Sequence, residues 1–199
     1  MDEELKKVIE FHGHLCPGLA IGYRVAKYAK KFFKKSEDEE LVAIVENNSC
    51  SVDAIQYMLS CTFGKGNLIF RDNGKHVYTF YSRNTGKAIR IYVKKDFFEE
   101  FNDKYPVKEL LKKYSSENLS EEELELFNKI RSEATDNILN AKDDELFEIK
   151  EVEIEPPKKA KLFPSIKCQE CGEYFMEIKG RIIDGKIVCK DCFEKIIMG

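Results

Sequence analysis

Two of the chain's three histidines and one of its seven cysteines fall inside a single short run, Phe11-His12-Gly13-His14-Leu15-Cys16-Pro17-Gly18. Imidazole nitrogens and thiolates are ligands for borderline-soft metal ions, and when activated they act as bases and nucleophiles. The Pro-Gly step breaks the helical pattern and fixes the backbone while leaving the side chains accessible. A lone histidine in such a turn ordinarily bonds a nearby carbonyl, whereas His-x-His-x-Cys gathers three ligand-type groups and marks a candidate site.

A second constellation lies near the other end: Cys168-Gln169-Glu170-Cys171, then seventeen residues, then Cys189-Lys190-Asp191-Cys192. Each C-x2-C pair forms a knuckle with both thiolates on one side, and two knuckles supply four sulfurs for a closed tetrahedral zinc site. Gly172 follows the first pair, where a permissive backbone is wanted. Asp184-Gly185 reads as a hairpin turn between Arg181-Ile182-Ile183 and Lys186-Ile187-Val188. The alternatives are two disulfides or a redox C-x-x-C, and the redox motif is expected near a βαβ pattern that this segment lacks. The spacing therefore predicts structural zinc at Cys168, Cys171, Cys189 and Cys192.

The remaining cysteines sit in the middle of the chain. Cys50 and Asp53 open a helical stretch that follows a strand, and Cys61-Thr62-Phe63-Gly64-Lys65-Gly66-Asn67 comes soon after. The two glycines flanking Lys65 let backbone N–H groups approach an anion, with an ammonium beside them. This is not a P-loop, because no glycine stands at the required upstream spacing and Gly66 takes the place of the metal-binding Ser or Thr. A sharp turn with one solvated lysine accounts for the same residues.

The elements that must position these groups are legible in outline. Glu3 to Glu10 forms a short amphipathic helix delivering the His–Cys turn, and Leu19 to Phe33 a longer one with Ile21, Val25, Tyr28, Ala29 and Phe32 on its apolar face. Leu41 to Val45 is a buried strand and Ser51 to Leu59 a helix. Leu68 to Arg71, His76 to Tyr81 and Ala88 to Val93 read as an antiparallel meander joined at Asp72-Asn73-Gly74-Lys75 and Asn84-Thr85-Gly86-Lys87. Helices follow near Asp96 to Asn102 and Val107 to Tyr114. A long one opens at the capping box Ser120-Glu121-Glu122-Glu123, with an apolar stripe through Leu124, Phe127, Ile130, Ala134, Ile138 and Ala141. Leu146 to Ile154 is a last strand of this part, and Pro156-Pro157-Lys158-Lys159-Ala160-Lys161 is an exposed linker.

At 199 residues the chain is long enough for a substantial core and a small appendage. Its apolar runs are too short to span a bilayer and its first residues, Met1-Asp2-Glu3-Glu4, are acidic where a signal peptide is basic, so a cytoplasmic protein with no membrane partner is expected. In that compartment cysteines serve as metal ligands or thiols more often than as disulfides. From Pro156 to Gly199 nine Lys or Arg stand against six Asp or Glu, whereas the preceding part has 24 against 30. A mildly basic tail on an acidic core is compatible with nucleic acid or an acidic partner, and ordinary solvated lysines explain it equally well.

Three blocks in order, Phe11 to Gly18 with Gly22 and Arg24, Cys50-Ser51-Val52-Asp53-Ala54-Ile55-Gln56, and Cys61-Thr62-Phe63-Gly64-Lys65-Gly66-Asn67-Leu68, resemble the FmdE family, named for the E-subunit of formylmethanofuran dehydrogenase. Some members also carry a C-terminal zinc ribbon. Ser60 stands where glycine is expected before the third cysteine. The resemblance implies an α+β core, tightly paired homodimers, and a metal or thiol site built from the His–Cys turn and later cysteines. It further implies an association with the molybdenum or tungsten enzyme that reduces CO2 onto methanofuran in methanogens, whose pterin and redox centres belong to other subunits.

The expectation is thus an α+β protein with a mostly antiparallel sheet packed with helices, divided into a core at 1–155, a linker at 156–165 and a zinc ribbon at 166–199. In the core, His14, Cys16 and Cys61 are expected to converge on a second transition metal or an anion, with Cys16 and His14 as the chemically active pair and Lys65 as the anion contact. Cys50 and Asp53 are the next candidates, and His12 is expected to serve from behind as a hydrogen-bond partner or to be a core group. The function implied is that of a metal-binding accessory protein of one-carbon metabolism and methanogenesis, partnered by other subunits of a formylmethanofuran dehydrogenase complex. The alternative is a metal- or metabolite-sensing regulator whose ribbon contacts nucleic acid or a protein, through Arg181, Lys186 and Lys190. A homodimer is expected because the long helix and the last core strand exceed what one core needs to cover itself.

Overall fold

The computed structural model describes residues 2–198, apart from the side chains of Glu100 and Phe101. It divides into two units, 1–159 and 160–199. The first four residues of the expected linker, 156–159, belong to the larger unit, where Arg83 donates to the carbonyls of Pro157 and Lys158 and ties that stretch down.

The larger unit begins with α1 (Glu3–His12) and α2 (Pro17–Ala29), followed by β1 (Leu41–Val45), α3 (Ser51–Leu59), β2 (Leu68–Phe70), β3 (Val77–Ser82) and β4 (Ala88–Val93). A 3-10 turn at Asp96–Phe98 leads to α4 (Glu99–Lys104), α5 (Val107–Ser115), α6 (Glu121–Asn140), α7 (Asp143–Leu146) and β5 (Phe147–Glu151). The strands form one sheet in the order β2-β1-β3-β4-β5, antiparallel except where β1 meets β2. The architecture is α+β, as expected.

One expectation about the sheet is corrected. β2 does not start a meander with β3; it lies beyond β1 at the edge and runs parallel to it, with Val45 opposite Phe70. The reason is topological: α3 carries the chain back between β1 and β2, and a helical crossover makes its two strands parallel. The meander is β3-β4-β5, with β1 antiparallel to β3 on its other side.

The main core lies between one face of the sheet and α1, α2 and α3. Leu19, Ile55 and Leu59 are fully buried there, each contributing roughly 1.5–3 kcal/mol of transfer free energy. The opposite face buries a smaller group, Val42, Tyr81 and Ala88, covered in part by Val152 and Ile154. Helices α2 and α3 approach so closely that a Cβ on Gly22 would lie 2.1 Å from the Ser51 carbonyl oxygen. Further along α2, Arg24 donates to the carbonyls of Ile138 at 2.6 Å and Leu139 at 3.0 Å and to Asp143 at 2.8 Å, pinning the end of α6 to α2.

The surplus that motivated the dimer is used within the chain. Ile138 joins the main core, while Phe127 and Ile130 pack with Leu110 of α5 in a cluster of their own.

The smaller unit pairs β6 (Ser165–Lys167) with β7 (Tyr174–Met176), and β8 (Arg181–Ile183) with β9 (Lys186–Val188), before ending in α8 (Lys190–Met198). The Asp184-Gly185 hairpin is present, with φ of 48° and 74° at its two residues. The helix α8, which holds Cys192, is not anticipated by the ribbon spacing.

Candidate metal centre

Helix α1 starts at Asp2, whose carboxylate accepts from Glu4 N at 3.0 Å, and stops at Gly13, whose φ of 99° favours glycine. The turn brings the rings of His12 and His14 together, centroids 4.6 Å apart. Two residues on, Cys16 caps α2: its sulfur accepts from Leu19 N at 3.4 Å, and Pro17 occupies the first helical turn. One ligand atom from each of His12, His14 and Cys16 lies within 4.8 Å of the others.

His12 is further fixed by Asp53 on α3, with Nδ1 and the Asp53 Oδ2 2.7 Å apart. An ionised carboxylate only accepts, so Nδ1 carries the proton there, and the nitrogen left for a metal is Nε2. That Nε2 is buried with no hydrogen-bond partner among the described residues. An orphaned buried polar atom costs roughly 1–3 kcal/mol, and a carboxylate–imidazole pair with its far nitrogen left open is the arrangement that metal-ligating histidines adopt. The donor set, two imidazoles and a thiol, suits zinc and the neighbouring late transition ions.

Three expectations about this site change. His12, assigned to a supporting place, stands in the cluster itself. Cys61 is not among the clustered ligands: it is fully buried, its thiol lies 3.5 Å from the Leu41 carbonyl, and burial pushes its pKa up to about 12. Such a thiol is a small core residue held neutral. Lys65 is no free anion contact, because its ammonium donates to Ser60 Oγ at 3.1 Å and to the carbonyls of Ser36 and Glu37 at 3.4 Å. It braces a tight turn in which Ser60 takes a φ of 56°, which is why glycine is expected at that position.

Cys50 stands beside the cluster without joining it. A Cβ on Gly18 would meet its Cβ at 3.2 Å, and burial, then the neighbouring Cys16 sulfur, raises the Cys50 thiol above its usual range. A cavity of about 280 Å³ opens here, lined by His12, Cys50 and Asp53 with Phe63 and Phe70, at the end of the parallel β1–β2 pair. On the other side of the histidines, His14 lines a cleft of about 370 Å³ against α6. A groove of about 450 Å³ between Phe33 and Thr85 contains none of the clustered ligands.

In the smaller unit, one sulfur from each of Cys168, Cys171, Cys189 and Cys192 lies within 4.8 Å of the others, with Cys171 and Cys189 4.0 Å apart. A tetrahedron of thiolates with zinc bonds of about 2.3 Å has edges of about 3.8 Å, so the four fit a zinc ion. Burial works to raise the Cys168 thiol, but the amides of Cys189, Cys171 and Glu170 outweigh it and bring its pKa down to about 6. Burial and the neighbouring thiols push Cys192 up to about 12.

An α+β unit with a histidine–cysteine cluster on its first two helices, joined to a four-cysteine module, defines a two-unit protein with two metal-ligand constellations. The chain belongs to the FmdE family: residues 11–148 match the model described as "FmdE, Molybdenum formylmethanofuran dehydrogenase operon". Residues 161–196 match "Prokaryotic dksA/traR C4-type zinc finger". A protein of Archaeoglobus fulgidus described as a "Probable S-adenosyl-L-methionine-binding protein" is 31% identical over 194 residues, covering 94% of this chain and 52% of that protein. The chain therefore spans about half the length of that curated relative. The crystal structure of an FmdE-like protein from Syntrophus aciditrophicus, related by its description to tungsten formylmethanofuran dehydrogenase, is similar at 25% identity, with a TM-score of 0.61 over 97% of this chain and 91% of that one. Among the described residues no helix is long and apolar enough to cross a membrane.

Proposed function

We propose that this protein is a metal-binding accessory protein related to formylmethanofuran dehydrogenase, with a transition metal at His12, His14 and Cys16 and a structural zinc at Cys168, Cys171, Cys189 and Cys192. The observation that carries the reading is His12 Nε2, buried and unpartnered beside two further ligand atoms while Asp53 holds the opposite nitrogen. A metal held by three protein groups keeps a position for an outside ligand, which suits a binding or catalytic centre, whereas a closed four-thiolate site suits structure. Of the three core ligands, His14 is solvent-exposed and gives the centre its access from outside, while Cys16 is buried behind it.

The smaller unit serves as the partner-binding module. Tyr174, Ile182 and Ile197 are exposed on it, which favours a protein surface over nucleic acid. Of the three cations expected to face an acidic partner, Lys186 pairs with Glu170 at 3.2 Å and Lys190 with Glu194 at 3.4 Å. The partners proposed are other subunits of a dehydrogenase complex in the cytoplasm; a homodimer rests on the family resemblance alone, since α6 packs its apolar stripe within the chain. S-adenosyl-L-methionine is not carried over from the Archaeoglobus protein, since this chain matches only half of it. Affinity capture from the native source tests the reading. Recovery of molybdenum- or tungsten-enzyme subunits supports it; recovery of nucleic acid alone favours the regulatory alternative.

A further inference from the structure

The cleft beside His14 has a second wall that the metal reading does not use. Asn128, Arg131, Ser132 and Asp136 follow at three- and four-residue spacing along α6, so they form one polar face, and all four line the cleft. The neighbouring stripe, with Phe127, Ile130 and Ile138 buried, fixes the orientation of that face. The Arg131 guanidinium lies 5.7 Å from the centre of the Phe127 ring and makes no ion pair among the described residues. A planar cation supported by an aromatic ring, with its donors uncommitted, is the usual receptor for a carboxylate.

We propose that this cleft binds a small carboxylate, with Arg131 on the carboxylate group and an oxygen of the same molecule reaching the ion at His12, His14 and Cys16. The proposal rests on the core metal reading. Two features set the ligand class. The cleft, at about 370 Å³, lies near the small end of the range for ligand sites. Among its described lining residues Arg131 is the one arginine or lysine and Asp136 the one carboxylate, so it suits a monoanion carrying a hydrogen-bond donor and disfavours a polyphosphate.

The test uses the full-length protein with zinc in the C-terminal module and cobalt(II) added to the core. A difference spectrum against His14→Ala isolates the core ion, and acetate is titrated as the probe. Acetate is expected to change that spectrum. Arg131→Gln is expected to weaken acetate binding about tenfold with cobalt affinity unchanged. Asp136→Asn is expected to tighten it, because a like charge leaves the cleft. Opposite effects from two neutral replacements on one helix do not arise from misfolding. Bound core cobalt that ignores acetate, or equal acetate affinity in wild type and Arg131→Gln, overturns this proposal alone. Absence of core cobalt in the wild type overturns the metal centre and the carboxylate site with it.

Discussion

His12 and Asp53, 41 residues apart in the chain, meet at 2.7 Å and lock α1 to α3 through one hydrogen bond. The same bond decides which nitrogen of His12 is left for a metal. Replacing Asp53 with Asn removes the anionic acceptor and loosens the ring. Core-metal affinity, measured by chelator competition, should fall by about 10- to 100-fold while the fold persists. Unchanged affinity would mean that His12 is not a ligand.

The four-cysteine unit should depend on its ion. Cys168→Ser is expected to unfold residues 160–199 and leave the larger unit folded, because a structural zinc site supplies its module's folding free energy. Hydrogen exchange resolves the two outcomes: loss of protection confined to that stretch supports the account, and cooperative loss in the core contradicts it.

Gly22 is the contact point of α2 and α3. With a Cβ only 2.1 Å from Ser51 O and 2.5 Å from Ser51 Cα, Gly22→Ala forces two backbones apart. Destabilisation by about 3 kcal/mol or more is expected in urea unfolding. A change within about 0.5 kcal/mol would show that the helices are not in that contact.

Acid should weaken the tie between α2 and α6. Burial works to raise the Asp143 carboxyl, but hydrogen bonds from Lys31 and Arg24 outweigh it and hold the pKa below its ordinary 3.8. A depressed folded-state pKa gives stability that is present above the ordinary carboxylate range and lost as pH falls through the folded value. Wild type should therefore melt above Asp143→Asn near neutral pH, and the two Tm values should converge in strong acid. A gap that stays constant with pH would remove the ion pair from the account.

Local signals are readable from sequence where local chemistry decides them. The limits of β1 and β4, the Asp184-Gly185 turn with positive φ at both residues and the Ser120 capping box all follow from short-range preferences. Pairing and direction are not local. The place of β2 depends on α3 acting as a crossover, which periodicity does not reveal. The histidine–cysteine cluster is legible at its turn, but its third member is not. Cys61 has the residue type for a ligand, yet its burial among β1 and α3 is a tertiary fact. His12 completes the cluster instead, and Gly13, free to take positive φ between two histidines, is the available hint. Arg131 carries no mark in the sequence, because the pattern of α6 is dominated by the apolar stripe beside it.

Counting metal ions per chain, in protein purified without added metal and in matched variants, tests the core metal centre. Two ions are expected in the wild type, one in the double variant His12→Ala/His14→Ala, and one in Cys168→Ser, with the remaining ion at the other cluster in each case. One ion in the wild type that persists in the histidine variant and disappears in Cys168→Ser would contradict the core metal centre.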